Sequence, residues 1–128
     1  MIVVLDDVRS MHNVGSVFRT GDAFRIEAVY LCGITSTPPM AEIHKTALGA
    51  ENSVEWKYFT NTLEAVESLR AKGYNIYSVE QAHGSTMLHD FTPYYNNSIA
   101  VRDHSICQEA EATRDSAHQR YPLVHHAT

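Results

Sequence analysis

The first half of the chain alternates short apolar runs with segments in which apolar residues recur at helical spacing. Residues 2–5 form a continuous apolar run rich in β-branched residues, which is typical of a strand covered on both faces. Residues 6–12 are polar and predict a loop. Asn13 then reads as an N-cap, and apolar residues follow with a helical period as far as Phe24. A second apolar run, Ala28–Cys32, completes a strand–helix–strand unit and predicts parallel pairing.

The alternation continues to residue 101 with five further predicted elements. They are a short helix at 41–48 that stops at Gly49, a half-buried strand at 54–58, a helix from an Asn61 cap to Gly73, and strands at 74–79 and 98–101. Residues 81–97 predict a loop. Strands that alternate with helices in this way predict an α/β fold with a Rossmann-like parallel sheet between helical layers.

Residues 102–128 differ from the rest of the chain, because they show almost no apolar periodicity. Residues 106–120 give the only helical indication, and they are polar nearly all round. The segment contains four of the eight histidines, namely His104, His118, His125 and His126. No pair of them has the spacing of a metal site on a regular element, so we predict no metal site.

Composition narrows the class of protein. A chain of 128 residues is long enough for one domain with a core of its own. Cys32 and Cys107 make no disulfide framework, and the apolar start is too short for a signal or a membrane span, so we expect a cytoplasmic protein. The net charge of −5 is unlike that of a general nucleic-acid binder. Any contact with nucleic acid must therefore rest on a local basic cluster or on a second subunit.

The loop at 6–13 lies where parallel α/β sheets bind ligands, beyond the carboxyl end of a strand. The free N–H groups of the following helical turn suit an anion such as phosphate. Gly15 leaves this turn without a side chain, and Arg19, one turn later, leans back toward the same place. An ordinary capped helix whose Arg19 pairs with Asp22 or Asp6 fits the spacing equally well.

Residues 13–24, NVGSVFRTGDAF, closely resemble the first motif of the SpoU (TrmH-like) family of SPOUT RNA methyltransferases, roughly N-x-G-x-x-x-R-T-A-D-A-F. The resemblance extends through residues 29–33 and 45–50 and covers about residues 1–101. It implies a parallel sheet of the SPOUT (α/β-knot) type. It also implies methyl transfer from S-adenosylmethionine to a ribose 2′-hydroxyl of tRNA or rRNA, by a homodimer.

The resemblance assigns roles to Asn13, which orients the site, and to Arg19, which deprotonates the hydroxyl or holds its phosphate. Arginine is a poor base because its pKa is far above neutral, whereas its guanidinium clamps phosphate in bidentate fashion. We therefore favour phosphate clamping for Arg19. Arg9, Ser16 and Lys45 are weaker candidates for RNA contact, and Arg9 and Lys45 are better explained as solvated surface charges.

The carboxyl-terminal part departs from the family. Two motifs, like F-G-N-E-x-x-G and S-L-N-V-S, form the knotted region that grips S-adenosylmethionine in the family, and neither occurs after residue 101, where the chain continues RDHSIC. We therefore predict a partial SPOUT domain at 1–101 with its knot missing or replaced, unknown cofactor-binding residues, and little or no catalysis. A non-catalytic RNA-binding module and an unrelated phosphate-binding α/β protein are the alternatives.

The break falls inside a predicted strand, which suggests a frameshifted or truncated product with an aberrant tail at 102–128. A diverged tail that is disordered or folds as a polar helix is the alternative, although so few apolar residues cannot readily replace a buried knot. The DNA beyond the codon for Val101 tests the hypothesis. An intact second motif in another reading frame is expected, and its absence would contradict the frameshift.

Overall fold

Five parallel strands form the centre of the fold. The computed structural model describes residues 1–79, 86–87, 90, 97–102 and 123–126. The elements, in chain order, are β1 (Ile2–Asp6), α1 (Met11–Ala23), β2 (Ala28–Cys32), α2 (Ala41–Ala47), a 3-10 turn (Ala50–Asn52), β3 (Trp56–Phe59), α3 (Thr62–Ala71), β4 (Asn75–Val79), β5 (Thr86–Met87), β6 (Asn97–Arg102) and β7 (Leu123–His126). The strand order is β3-β2-β1-β6-β4-β7-β5, and only the pairs that involve β7 are antiparallel. The predicted parallel α/β sheet is thus confirmed.

The two faces of the sheet are covered by different helices. Leu5 and Leu31 point to the face that packs against α1 and α2, together with Phe18 and Ile43. Val4, next to Leu5 in β1, points to the opposite face and packs with α3. Because both faces of the sheet are buried, consecutive positions of β1 and β2 are apolar, which explains the continuous apolar runs in the sequence.

The direction of the chain across the sheet reverses at β1. The path β1–α1–β2–α2–β3 builds outward to one edge, whereas β6 and β4 lie on the other side of β1. Ligands of open α/β sheets bind at the carboxyl ends of the strands where the order reverses. The loop between Asp6 and Met11 lies at this point, as the sequence predicted.

Helices α1 and α2 pack tightly against each other at Gly15, which is buried. A Cβ atom there would overlap the Thr46 side chain and the Ile43 carbonyl oxygen. Thr46 Oγ1 donates a hydrogen bond to the His12 carbonyl oxygen of α1 at 2.7 Å. Gly15 does leave this turn without a side chain, as expected, and the space is filled by the neighbouring helix α2.

Several predicted boundaries are confirmed to within a residue or two. The Asn61 side chain accepts hydrogen bonds from Leu63 N at 2.7 Å and Glu64 N at 3.3 Å, so it caps α3 as expected. Helix α2 ends one residue early, because Leu48 already has a left-handed φ of 52°, ahead of Gly49 at 95°.

The predictions for the rest of the chain are tested only in part. The strand expected at residues 98–101 is present as β6. The predicted loop at 81–97 falls largely outside the described residues, and the polar helix at 106–120 does so entirely. Within the expected tail, Leu123–His126 forms β7 and pairs antiparallel with β4, which the sequence did not predict.

Gly15→Ala should destabilise the fold by about 2 kcal/mol, because the added methyl overlaps a backbone carbonyl that cannot move independently. The measurement is the free energy of unfolding from urea denaturation. Ser16→Ala, at the neighbouring exposed position, is the control and should change stability by less than about 0.5 kcal/mol. Equal stability of Gly15→Ala and the wild-type chain would contradict the close contact.

Candidate functional site

The turn that leads from the sheet into α1 is capped by Ser10. Ser10 has extended backbone angles (φ −78°, ψ 113°), and its Oγ accepts a hydrogen bond from Asn13 N at 3.2 Å. The prediction that Asn13 is the N-cap is therefore wrong, since Asn13 is already the third residue of the helix. Serine and asparagine cap helices about equally well, so residue type alone could not show whether Ser10 or Asn13 is the N-cap. The Asn13 side chain is exposed, and the described part of the chain offers it no hydrogen-bond partner.

Three of the predicted site residues form one strip on the solvent face of α1. Asn13, Ser16 and Arg19 follow at three-residue steps, and all three are exposed. Ser16 Oγ donates to the His12 carbonyl oxygen at 2.9 Å, so toward a ligand this hydroxyl can only accept. The structure thus brings Asn13 and Arg19 to the same exposed surface, beside the loop at the switch of strand order.

Arg19 has no ion pair or hydrogen bond with any residue that the structure describes. The alternative in which Arg19 pairs with Asp22 or Asp6 is not observed. The Asp6 carboxylate instead accepts a hydrogen bond from Thr62 Oγ1 at 2.5 Å, on the α3 side of the sheet. The guanidinium of Arg19 is therefore available to an external anion.

The other basic candidates are engaged within the chain. Lys45 Nζ donates to Glu42 Oε1 at 2.8 Å, and His12 Nε2 lies 2.8 Å from Glu42 Oε2. The hydrogen bond from Lys45, followed by that from His12, lowers the pKa of the Glu42 carboxyl. This carboxylate offsets the charge of Lys45 and links α2 to the start of α1. Arg9 is exposed in the preceding loop and also has an interaction within the chain.

The polar groups at the carboxyl ends of β1 and β2 are used by the fold itself. Asp7 Oδ1 accepts a hydrogen bond from Ile34 N at 3.0 Å, and Asp6 accepts from Thr62. Burial raises the pKa of the Cys32 thiol to about 11, so this group is protonated at neutral pH and is a poor nucleophile. The side chains of Asp6, Asp7 and Cys32 are thus hydrogen-bonded or buried within the fold.

The described residues contain neither a cluster of metal ligands nor a membrane-spanning helix. No three His, Cys, Asp or Glu side chains converge there as metal ligands would, and the predictions for His104 and His118 fall outside these residues. Within the same ranges, no helix has the length and apolar character needed to cross a membrane.

The sequence did not predict that Thr46 and Glu42 support the site. Both belong to α2, yet both contact His12 at the start of α1, through Thr46 Oγ1 and the Glu42 carboxylate. The sequence contained one indication of this contact, namely that both segments 13–24 and 45–50 resemble the family. The structure shows that these two segments pack against each other.

The SpoU rRNA Methylase family matches residues 1–103 of the chain. The chain is 33% identical over 73 residues to the 23S rRNA (guanosine-2'-O-)-methyltransferase RlmB of Nitrosomonas europaea, an alignment that covers 57% of this chain and 28% of that protein. The protein of the same name from Neisseria meningitidis is 28% identical over 89 residues, which cover 70% of this chain and 36% of that protein. The chain therefore spans well under half the length of these curated relatives.

Solved structures share the fold. An AdoMet-bound rRNA methyltransferase from Sinorhizobium meliloti superimposes with a TM-score of 0.73 at 19% identity, covering 92% of this chain and 49% of that chain. The TrmH/SpoU tRNA modifying enzyme of A. aeolicus gives a TM-score of 0.66 at 19% identity, covering 80% and 51%. At this level of identity the likeness shows the SPOUT-type fold.

Ser10→Ala should cost about 1 kcal/mol of stability, because it removes the side-chain acceptor of the α1 cap. Asn13→Ala removes an exposed side chain that has no hydrogen-bond partner among the described residues, so its effect should stay within about 0.5 kcal/mol. The free energies of unfolding of the two variants decide which residue is the cap. A larger loss of stability for Asn13→Ala than for Ser10→Ala would contradict the cap at Ser10 and support the predicted cap at Asn13.

Proposed function

Because the chain belongs to the SpoU rRNA methylase family, we propose that it provides the RNA-facing half of a ribose 2′-O-methyltransferase site. The reaction of the complete site is methyl transfer from S-adenosylmethionine to a 2′-hydroxyl of tRNA or rRNA. The observation that carries the proposal is the exposed strip of Asn13, Ser16 and Arg19, in which Arg19 has no partner among the described residues.

The residue types suit the positioning of an RNA backbone. The Arg19 guanidinium presents paired N–H donors that match two phosphate oxygens, and its charge does not depend on pH in the neutral range. The Asn13 amide, with both a donor and an acceptor, complements a ribose hydroxyl or a phosphate oxygen. Arg9, Ser16 and Lys45 are secondary RNA contacts in this proposal, and the ion pair with Glu42 weakens the contribution of Lys45.

The proposal includes a limit on catalysis. The cofactor motifs of the family are absent after residue 101, and the described groups at the carboxyl edge are occupied within the fold. Residues 1–101 therefore act as a partial methyltransferase domain, residues 102–128 as a polar tail, and the chain alone transfers little or no methyl group. A cytoplasmic location is part of the proposal, supported by the buried, unpaired thiol of Cys32.

A second copy of the chain is the partner that we assign to the apolar groove beside α1. The groove has a volume of about 310 Å³ and is lined by Met1, Val3, Ser16, Val17, Thr20, Gly21, Phe24 and Ile26. The Phe24 side chain is 77% exposed there. Ser16 belongs both to this groove and to the polar strip, so a copy seated on the groove would bring two Arg19 side chains toward one RNA. Exposed apolar grooves of this kind mark association surfaces.

Arg19→Ala should lower the affinity for a structured tRNA or rRNA fragment about tenfold at low salt, because it removes a charge-assisted phosphate contact. The slope of log K against log salt should become shallower by about 1. Fluorescence anisotropy of a labelled RNA measures both quantities.

Lys72→Ala is the matched control for Arg19→Ala. It removes one exposed positive charge at the end of α3, on the opposite face of the sheet, and should leave affinity and salt slope almost unchanged. Equal effects of the two variants would mean that net charge alone drives binding, which contradicts a site on α1.

Phe24→Asp should weaken self-association of the chain at least about tenfold, because it places a charge in the proposed apolar contact. Sedimentation velocity over a concentration series measures this change. Leu63→Asp alters a side chain that is 60% exposed on α3 and should leave self-association unchanged. A chain that stays monomeric at every concentration would contradict the proposed dimer.

A further inference from the structure

A second cavity opens at the outer edge of the sheet, beside β3. It has a volume of about 460 Å³, within the usual range of small-molecule sites. Its lining residues are Thr35, Ser36, Thr37, Met40, Trp56 and Tyr58. The strip of Asn13, Ser16 and Arg19 on α1 contributes nothing to this lining, so the cavity is a separate site.

Two aromatic rings form one wall of the cavity. Trp56 and Tyr58 are two residues apart in β3, so their side chains point to the same face of the sheet. Trp56 is half-buried against the core, and the Tyr58 hydroxyl donates a hydrogen bond to the Gly33 carbonyl oxygen at 2.7 Å. Tyr58 is nevertheless 48% exposed. The rings are thus held in place while part of their surface remains open to a ligand.

The rest of the lining contains three hydroxyl side chains, of which Thr35 is engaged and Ser36 and Thr37 have no partner among the described residues. Thr35 is buried and occupied, because its Oγ1 accepts from Val8 N at 2.9 Å and donates to the Leu5 carbonyl oxygen at 3.3 Å. The hydroxyls of Ser36 and Thr37 are half-buried, and the described residues give them no hydrogen-bond partner. The same holds for the indole N–H of Trp56 in this part of the chain.

Among the described residues, the lining includes no charged side chain, and such a lining does not suit a phosphate or a carboxylate. Aromatic surface combined with uncharged donors and acceptors suits a planar ring with a polar edge. We infer that the cavity holds one unpaired nucleobase of the RNA, stacked on Tyr58 and Trp56 and hydrogen-bonded at its edge to Ser36 or Thr37. The identity of the occupant, a base of the bound RNA, rests on the proposed function.

The connection between the two sites supports this occupant. The hydrogen bond from Val8 N to Thr35 ties the loop that lines the cavity to the loop that leads into α1. Helix α2, which begins directly after Met40, packs against α1 at Gly15. The cavity and the strip on α1 therefore lie on the same side of the sheet, the side covered by α1 and α2.

Trp56 is the only tryptophan of the chain, so its fluorescence reports on the cavity directly. The full chain is titrated with a short single-stranded oligoadenylate, with an abasic ribose-phosphate strand of equal length, and with free adenosine. We expect the oligoadenylate, and adenosine at millimolar concentration, to quench the fluorescence of Trp56, and the abasic strand to leave it unchanged.

Tyr58→Leu should lower the affinity for oligoadenylate about tenfold. Tyr58→Phe, which keeps the ring, should retain it.

The outcomes separate this inference from the proposed function. Binding of oligoadenylate that depends on Arg19, without Trp56 quenching and with no effect of Tyr58→Leu, overturns the nucleobase site alone. Quenching by adenosine and oligoadenylate, with RNA affinity that does not depend on Arg19, supports the nucleobase site and contradicts the proposed function. Equal quenching by the abasic strand, or no quenching by any ligand, overturns the inference. Circular dichroism of each variant confirms that the fold is intact.

Discussion

The close packing of α1 on α2 at Gly15 is the constraint on which the rest of the candidate site depends. The Thr46 side chain and the Ile43 carbonyl cover α1 at Gly15, whereas Asn13, Ser16 and Arg19 remain exposed on the same helix. The same contact brings Thr46 Oγ1 to the His12 carbonyl oxygen at the start of α1. The glycine of the motif therefore acts through packing, because it fixes the position of α1 against α2.

Sequence patterns predicted the helices and strands that are determined by residues within the segment itself. Continuous apolar runs identified β1 and β2, because both faces of these strands are buried, and Asn61 identified the start of α3 through its own side chain. Sequence patterns did not predict features that depend on contacts with distant parts of the chain. Gly15 packs against Thr46, 31 positions later in the chain. The sequence spacing alone cannot show whether the space beside a glycine is filled by another helix or by a ligand.

The two candidate cap residues show a second limit of prediction. Ser10 and Asn13 have similar capping propensities, and the choice between them depends on where the chain leaves the sheet after Asp6. The structure assigns the cap to Ser10, and this frees the amide of Asn13. Strand β7 was not predicted for a related reason, since this four-residue segment is a strand through its pairing with β4 and β5, which lie elsewhere in the chain.

The central claim is that this chain holds the RNA-facing surface of a methyltransferase site without its cofactor-binding half. Calorimetric titration of S-adenosylmethionine into the full chain tests this claim most directly. We expect no saturable heat at micromolar cofactor, because the family motifs are absent after residue 101 and the described groups at the carboxyl edge are already engaged. Saturable, stoichiometric binding of S-adenosylmethionine with a micromolar dissociation constant would contradict it.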